Sequence, residues 1–218
     1  TPPPNGLRPI AEIQFADFIF PAVNQLVQEA ARIRYRSNGT FSCPITIRTP
    51  FGGGVHGALY HSQSIEAFFA HVPGLKVVVP STPYDAKGLL RASIRDDDPV
   101  LFLEHKKLYR SVRGEVPEEE YVVPLGRAAV TRAGTRATVV AYGLMAHYAL
   151  DAAERVAEEG IEVEVVDLRT LRPLDRETLL SSVRKTGKCL VVHEDNRFGG
   201  YGAEIAAIVA EEAFDFLD

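Results

Sequence analysis

Cysteine is scarce in this sequence, which has only Cys43 and Cys189 among its 218 residues. Neither cysteine stands in a Cys-x-x-Cys pair or beside histidines at a zinc spacing, so we expect two buried, reduced thiols. A disulfide scaffold and a structural zinc domain are thereby excluded. The sequence favours a reducing compartment, which is the cytoplasm for a bacterial protein, our first choice, or the mitochondrial matrix for a eukaryotic one.

Long apolar runs and an excess of basic charge are missing as well. No run approaches the roughly 18 residues of a membrane-spanning helix, and the first residues do not resemble a secretion signal. The formal net charge is −5 and the pI is near 5.7, with acidic and basic residues interspersed. We therefore expect neither a nucleic acid nor a membrane as a partner.

The sequence does contain short β-branched runs that alternate with longer amphipathic stretches, a pattern typical of parallel sheets covered by helices. Strands are predicted over residues 8–15, 45–50, 75–80, 100–104, 137–142, 162–167 and 189–193. Helices are predicted over residues 21–36, 65–71, 84–95 and 146–159, and after Gly202. The pattern lapses over residues 106–124, which predicts a linker. We expect an α/β fold with two tandem parallel-sheet domains, residues 1–116 and 117–218.

Two loops are candidates for a binding site, because ligands of open parallel sheets bind at the carboxyl ends of the strands. Residues 14–21 follow the first predicted strand, and residues 51–63 follow the second. The second loop contains three consecutive glycines, whose backbone can pass close to a ligand or to another chain. We expect both loops to line one rim of the first sheet.

His61 is the titratable residue that the glycine loop presents. Ser62 or Ser64 is predicted to cap the following helix, so that His61 lies at its N-terminus, where the helix dipole disfavours an imidazolium. A neutral ring there could donate or accept a proton near pH 7. The alternative is a histidine that only hydrogen-bonds the loop backbone, and the spacing alone favours that alternative.

Gln14 and Phe18 form a second candidate pair. An aromatic ring and an amide at a strand end could hold a planar heterocycle by stacking and hydrogen bonding. The alternative is that Phe15, Phe18 and Phe20 are core aromatics, and the usual burial of phenylalanine favours that alternative. The loop after the strand at residues 189–193 lacks the spacing of a dinucleotide site.

Six segments carry a resemblance to a known family. The longest are Ala-Glu-Ile-Gln-Phe-Ala-Asp-Phe at 11–18, Gly-Ala-Leu-Tyr-His-Ser-Gln-Ser at 57–64 and Pro-Gly-Leu-Lys-Val-Val-Val-Pro at 73–80. With residues 85–90, 165–173 and 193–194 in the same order, they resemble the β subunit of the decarboxylating component of 2-oxoacid dehydrogenase complexes. The segment at 57–69 looks closer to the branched-chain enzyme than to pyruvate dehydrogenase.

The resemblance implies a thiamine-diphosphate pyrimidine-binding domain followed by a transketolase-type C-terminal domain. The family forms heterotetramers of two α and two β subunits that share thiamine diphosphate, with Mg²⁺ held by a Gly-Asp-Gly motif of the α subunit. The implied reaction is oxidative decarboxylation of a small 2-oxoacid, followed by reductive acylation of lipoamide on a lipoyl acyltransferase. Alternatives are a pyruvate or acetoin dehydrogenase β subunit, or a noncatalytic α/β module that docks partner subunits.

The resemblance also implies roles for particular residues. His61 matches the family's active-site histidine and is the candidate catalytic residue. The candidate cofactor-binding residues are Gln14, Phe18, Ile19, Phe20 and Pro21. Phe18 stands where related chains often have tyrosine, so stacking is kept and a phenolic hydrogen bond is lost. A possible K⁺ site, for which a structural loop is the alternative, maps near Ile45, Thr46, Ser93, Asp96 and Asp98.

The family's β subunits also carry, in an earlier segment, a glutamate that hydrogen-bonds the pyrimidine ring of the cofactor. The present chain starts downstream of that glutamate, and its second domain also stops early, so we expect a chain truncated at both ends. A sheet without its opening strand exposes an edge. We therefore expect this chain to depend on a partner and to have no decarboxylase activity by itself.

Overall fold

The computed structural model describes residues 6–54 and 57–218, so residues 55 and 56 of the glycine loop lie outside the described residues. The first half contains the strands β1 (Ile10–Glu12), β2 (Thr46–Phe51), β3 (Lys76–Val78) and β4 (Val100–His105). Its α-helices are α1 (Ile33–Arg36), α2 (Glu66–Ala70), α3 (Pro83–Arg95) and α4 (Leu108–Ser111). Before α1 lie the 3₁₀ turns Ala16–Phe18 and Phe20–Ala22 and the π-helix Gln25–Ala30.

The second half is built in the same way. Its strands are β5 (Ala129–Arg132), β6 (Ala137–Ala141), β7 (Val163–Asp167), β8 (Thr170–Arg172) and β9 (Cys189–Val192). Its helices are α5 (Leu144–Ala157), α6 (Arg176–Thr186), α7 (Tyr201–Glu212) and a final 3₁₀ turn, Phe214–Phe216. Among the residues described, no helix is both long and apolar enough to cross a bilayer.

The strands form two sheets, with the orders β1-β2-β4-β3-β8 and β5-β7-β6-β9. All pairs are parallel except two at the edges, β3 with β8 and β5 with β7. The predicted α/β class with two mostly parallel sheets is confirmed, and each sheet has one antiparallel edge strand that the sequence pattern did not predict. The predicted domain boundary between residues 116 and 117 stays a prediction.

The central strands follow from their sequence. Residues 100–103 of β4, Val-Leu-Phe-Leu, are at most 1% exposed, as expected for a parallel strand covered on both faces. The helix α3 begins where Thr82 accepts a hydrogen bond from the Asp85 backbone N–H and Pro83 occupies the first helical turn. Cys43 and Cys189 are free and only partly buried.

Several predicted boundaries are wrong. The first strand ends at Glu12 rather than residue 15, because the chain turns there to place Ala16 and Ile19 in the core with no exposed surface. The helix predicted over residues 21–36 is interrupted by a wider turn, in which the Ala31 N–H donates to the Leu26 carbonyl. The helices α4 and α6 and the strands β5 and β8 were not predicted.

Strand β8 joins the two halves of the chain. It follows β7 of the second sheet, yet it pairs with β3 at the edge of the first sheet. Leu171 in β8 is fully buried, and its carbonyl accepts a hydrogen bond from the Tyr201 hydroxyl of α7. The largest hydrophobic core therefore includes residues of both sheets, such as Phe51 and Val140.

We predict that Leu171→Ala lowers the free energy of unfolding by about 2 to 5 kcal/mol, because it removes a buried side chain from the junction of the two halves. Urea unfolding measures the change. The matched control is Leu190→Ala on β9, where the leucine is 58% exposed and a change within about 0.5 kcal/mol is expected. Equal losses in both variants would contradict the assignment of Leu171 to the core.

Candidate functional site

The carboxyl ends of β1, β2 and β4 gather at one rim of the first sheet. The loop after β1 contributes Phe15, Asp17 and Phe18, and the loop after β2 contributes His61. The rings of Phe15 and Phe18 both contact the His61 ring, so the structure brings together the two loops that the strand-end rule selects. This rim is the candidate functional site.

His61 is held in one orientation. Its ring stacks on Phe15 with centroids 3.9 Å apart, and the Phe18 ring meets it edge-on at 5.8 Å. The His61 backbone N–H donates to both carboxylate oxygens of Asp17, at 3.1 and 3.0 Å. The Nδ1 atom lies 3.5 Å from Asp17 Oδ2 and has no hydrogen-bond partner among the described residues. Asp17 thus fixes the backbone that presents the imidazole.

The backbone at His61 has a φ of +64°, in the left-handed region that residues other than glycine, asparagine and aspartate rarely adopt. Such a conformation persists only where surrounding contacts determine it, and the two hydrogen bonds to Asp17 supply that restraint. Strained residues of this kind cluster at functional sites. The geometry therefore favours a functional imidazole over a histidine that only orders its loop.

The predicted helix cap is wrong. The helix α2 begins at Glu66 with Ile65 as its N-cap and no side-chain cap, while the Ser62 hydroxyl donates to the Ala58 carbonyl instead. His61 therefore lies several residues before a very short helix, and the dipole argument for its protonation state does not hold. Asp17, rather than a helix terminus, is the group that faces it.

Three phenylalanines are partly exposed and are called here the aromatic rim: Phe18, whose ring contacts His61, and the mutually contacting Phe20 and Phe68. They are 51%, 47% and 68% exposed, respectively, and the Phe20 and Phe68 rings meet edge-on at 6.3 Å. The core-aromatic alternative is therefore wrong for Phe18 and Phe20. Ile19 is fully buried, so its side chain packs in the core, whereas Gln14 and Pro21 are exposed.

Lys106 is a buried, positively charged residue close to Phe15 of the candidate site. The residue is 9% exposed, and its Nζ atom has no hydrogen-bond partner in the described part of the chain. The Nζ atom lies 5.9 Å from the centre of the Phe15 ring. Burial lowers the pKa of Lys106, and attraction from Asp17 and Glu194 partly opposes that shift. An unpaired buried ammonium is costly, which is typical of a functional site.

Residues that follow strands of the second sheet contact the candidate site. Glu194, which follows β9, accepts a hydrogen bond from the Gly53 N–H at 2.6 Å, and its other oxygen lies 2.5 Å from His105 Nε2. The hydrogen bond with His105 is the largest cause that lowers the pKa of Glu194. A Cβ atom added to Gly143, which follows β6, would lie 3.7 Å from the Phe51 ring, so this turn of the second sheet is close to β2. The carboxyl ends of both sheets therefore face each other.

Glu66 is a second unusual carboxyl group between the halves. It has no exposed surface, its Oε1 atom accepts a hydrogen bond from the Tyr142 hydroxyl at 3.0 Å, and its Oε2 atom has no partner among the described residues. Burial raises the pKa of Glu66 to about 7, and the nearby Asp195 and Glu194 charges act in the same direction. Glu66 can therefore exchange a proton near neutral pH.

The predicted K⁺ ligands lie elsewhere, at the amino ends of the strands. Lys76 Nζ is 2.6 Å from both carboxylate oxygens of Asp96, and Asp98 lies 2.5 Å from Arg34 Nε. Among the described residues, no group of three His, Cys, Asp or Glu side chains could hold a metal ion. The acidic side chains already pair with cations, so K⁺ would have to rely on backbone carbonyls and the Thr46 hydroxyl, which has no hydrogen-bond partner among the residues described. This site stays a prediction.

Comparison with known families identifies the two halves. Residues 4–112 match the family "Transketolase, pyrimidine binding domain", and residues 126–218 match "Transketolase, C-terminal domain". The chain therefore belongs to the transketolase family, with its pyrimidine-binding domain first and its C-terminal domain second. A solved structure described as "Split gene transketolase, inactive beta4 tetramer" shares 27% identity, with a TM-score of 0.77 over 95% of this chain and 64% of that chain.

Within that family, the chain is similar to particular β subunits. It is 61% identical to the 2-oxoisovalerate dehydrogenase subunit beta of Bacillus subtilis, over 98% of this chain and 65% of the relative. It is 52% identical to the pyruvate dehydrogenase E1 component subunit beta of the same organism, over 98% of this chain and 66% of the relative. The resemblance seen in the sequence is confirmed, and the chain spans about 65% of the length of the first of these relatives.

Sequence reasoning missed Asp17, Lys106 and Glu194 as parts of the site. All three follow closely after the strands β1, β4 and β9, so the strand-end rule could have selected them. Their partners lie far away in the sequence, which hid the contacts. Glu194, for example, contacts a glycine 141 residues earlier.

We predict that Glu66→Gln removes a pH-dependent loss of stability. The folded-state pKa of about 7 lies above the ordinary value of 4.5, so ionisation of Glu66 destabilises the fold increasingly as the pH rises from 4.5 to about 7. Glutamine keeps the acceptor for Tyr142 and should raise the free energy of unfolding by roughly 2 to 3 kcal/mol at pH 8, but little at pH 5.

Urea unfolding at the two pH values tests this, with the exposed Glu211→Gln as a control that should change neither value. A gain of the same size at pH 5 and pH 8 would show that ionisation of Glu66 is not the cause.

Proposed function

We propose that the chain is part of the β subunit of a 2-oxoacid dehydrogenase, with a branched-chain 2-oxoacid as substrate, and that it acts only together with an α subunit. The observation that carries the proposal is the His61 imidazole, which Asp17 and Phe15 fix beside the partly exposed Phe18 ring. A restrained imidazole next to an accessible aromatic surface suits proton transfer to a substrate held against that surface.

The choice of substrate rests on the relatives. Identity is 61% to a 2-oxoisovalerate dehydrogenase β subunit and 52% to a pyruvate dehydrogenase β subunit. These values favour a branched-chain 2-oxoacid, with pyruvate as the second candidate. Much of the substrate pocket would come from the α subunit, so the residues described here do not fix the acyl group by themselves.

The rim fits the pyrimidine ring of thiamine diphosphate. Phe18 offers an exposed aromatic face for stacking, and the exposed Gln14 offers an amide for hydrogen bonding. The predicted residues Phe20 and Pro21 would extend this surface, while the buried Ile19 would support it from the core. When bound, the cofactor supplies the electron sink for decarboxylation. The sequence has no Gly-Asp-Gly motif, so we assign the diphosphate and Mg²⁺ to the α subunit.

The aromatic rim also supports the α partner. Phe18, which contacts His61, and the neighbouring pair Phe20 and Phe68 expose apolar surface, and exposed aromatics are typical of protein interfaces. We propose that the α subunit of a heterotetramer covers the rim, so that the cofactor lies between the two chains. Lipoamide on the acyltransferase would then approach His61 from the opening that remains.

His61 would act in the second half of the reaction. The ring could donate or accept a proton as the acyl group passes to lipoamide, with Asp17 restraining its orientation. Asp17 in turn attracts the Lys106 ammonium, which partly opposes the lowering of the Lys106 pKa by burial.

We predict that the full-length subunit decarboxylates 3-methyl-2-oxobutanoate only when it is combined with an α subunit and thiamine diphosphate. Under the same conditions kcat/KM should be lower for pyruvate. The measurement compares the β subunit alone, the α subunit alone and the reconstituted heterotetramer. Turnover by β alone would contradict the partner requirement, a preference for pyruvate would reassign the substrate, and assembly without any turnover would favour a noncatalytic docking module.

We predict that His61→Ala lowers acylation of lipoamide by about 10²- to 10⁴-fold, the usual effect of removing a positioned acid or base. Decarboxylation measured with an artificial electron acceptor should fall much less, because cofactor activation would not depend on His61. The exposed His71→Ala is the matched control and should leave both rates unchanged. Equal losses in the two assays would contradict a step-specific role for His61.

A further inference from the structure

We propose that Glu194 of the second domain is a positioning residue for His61, because its carboxylate fixes the base of the loop that presents the imidazole. The catalytic consequence rests on the proposed function, whereas the contact itself does not. The second domain would thus help to position the imidazole of the first domain, a role that its fold alone does not imply.

The contact is specific on both sides. One oxygen of Glu194 accepts from the Gly53 N–H at 2.6 Å, and the other lies 2.5 Å from His105 Nε2. A Cβ atom at Gly53 would lie 2.8 Å from Glu194 Oε1, closer than real Cβ contacts allow. A side chain at residue 53 would therefore make the Glu194 carboxylate shift away from the Gly53 N–H.

The neighbouring glycine extends the contact. Gly52 has a φ of +81°, and a Cβ there would lie 2.2 Å from His105 Nε2. His105 is 3% exposed and is thus packed directly beneath the glycines while it is bound to Glu194. Glu194 and His105 together form a clamp against Gly52 and Gly53, which we call the glycine clamp.

The glycine clamp is connected to His61 through the closure of the loop. The Gly52 N–H donates to the Gln63 carbonyl at 2.8 Å, which ties the start of the loop to the residue two positions after His61. Displacement of the Gly52 backbone would therefore move the segment that carries the imidazole. Asp17 restrains the same segment from the other side, through the His61 N–H.

Charge links the two restraints. The Lys106 ammonium is buried without a hydrogen-bond partner among the described residues, and it is attracted by both Asp17 and Glu194. Loss of the Glu194 charge would leave this cation less well compensated next to Asp17. The hydrogen bonds of Glu194 set the position of the loop, and its charge is a second, smaller effect on Lys106.

Amide hydrogen exchange of residues 57–64 in the full-length heterotetramer tests the clamp. Glu194→Ala removes both contacts and should speed exchange of this segment by about ten-fold, since a buried hydrogen bond is lost. Glu194→Gln keeps an acceptor for Gly53 and should change exchange by less than about three-fold. Unchanged exchange in Glu194→Ala would overturn the proposal.

Two further variants separate the clamp from general loosening of the two domains. Asp85→Asn weakens the ion pair with Arg169, 2.9 Å long, which also joins the two domains but does not contact the loop. It should leave exchange of residues 57–64 unchanged. Gly53→Ala displaces the Glu194 carboxylate from the Gly53 N–H and should also speed exchange, and it should add little to Glu194→Ala, because the carboxylate that the new Cβ meets is then absent. Equal effects of Asp85→Asn and Glu194→Ala would overturn the proposal.

The catalytic readout uses the two half-reactions. Glu194→Ala should lower lipoamide acylation more than decarboxylation with an artificial acceptor, as expected for His61→Ala, and Glu194→Gln should restore most of the loss. Faster exchange with both rates unchanged would overturn the positioning role. If the unmodified heterotetramer has no 2-oxoacid turnover, the proposed function fails, while the exchange comparison still decides whether the clamp exists.

Discussion

The candidate site depends on one strand pairing. Strand β8 belongs to the second half of the chain but pairs with β3 of the first sheet. Arg169, between β7 and β8, has a φ of +55° and donates to Asp85 of α3, while its carbonyl accepts the Val79 N–H. The pairing of β8 with β3 holds one sheet against the other, and these bonds add to it. The carboxyl ends of both sheets then face each other, so Glu194 of the second sheet can reach Gly53 of the first. Among the residues described, the strands β1 to β4 alone contain no such carboxylate partner for Gly53.

Buried polar groups fall into two kinds in this chain. Glu164 accepts hydrogen bonds from Ser182, Lys185 and the Gly134 N–H, which lower its pKa overall despite its burial. This is a satisfied structural network. By contrast, Lys106 and one oxygen of Glu66 have no partner in the described parts of the chain. Lys106 lies near the Phe15 ring of the candidate site and Glu66 follows the loop that carries His61, so a ligand or a second chain at this site could complete both groups.

Local patterns explain what the sequence could predict. The apolar run of β4 predicted a central strand, because a strand buried on both faces needs consecutive apolar residues. The glycines after β2 indicated the rim of the sheet, because their backbone can pass close to a ligand. The helix α6 was missed since few apolar residues lie among its charges, although Asp175 as N-cap and Gly187 after its end were readable signals. The strand-end rule could have selected Glu194 and Lys106 as rim residues, but their partners could not be read from the sequence, because the contacts join segments far apart in the chain.

Phe18, Phe20 and Phe68 of the aromatic rim are partly exposed, so a partner subunit that covers them would also complete the candidate site. Full burial of an aromatic side chain contributes about 1.5 to 3 kcal/mol, so covering Phe18, Phe20 and Phe68 would stabilise a complex appreciably. Phe68 lies on α2, directly after the loop that carries His61 and two residues from the buried Glu66. A partner that packs on Phe68 would therefore restrain α2, and through it the loop that the glycine clamp holds at its base. In the proposed heterotetramer, the same contacts that bind the α subunit would order the imidazole.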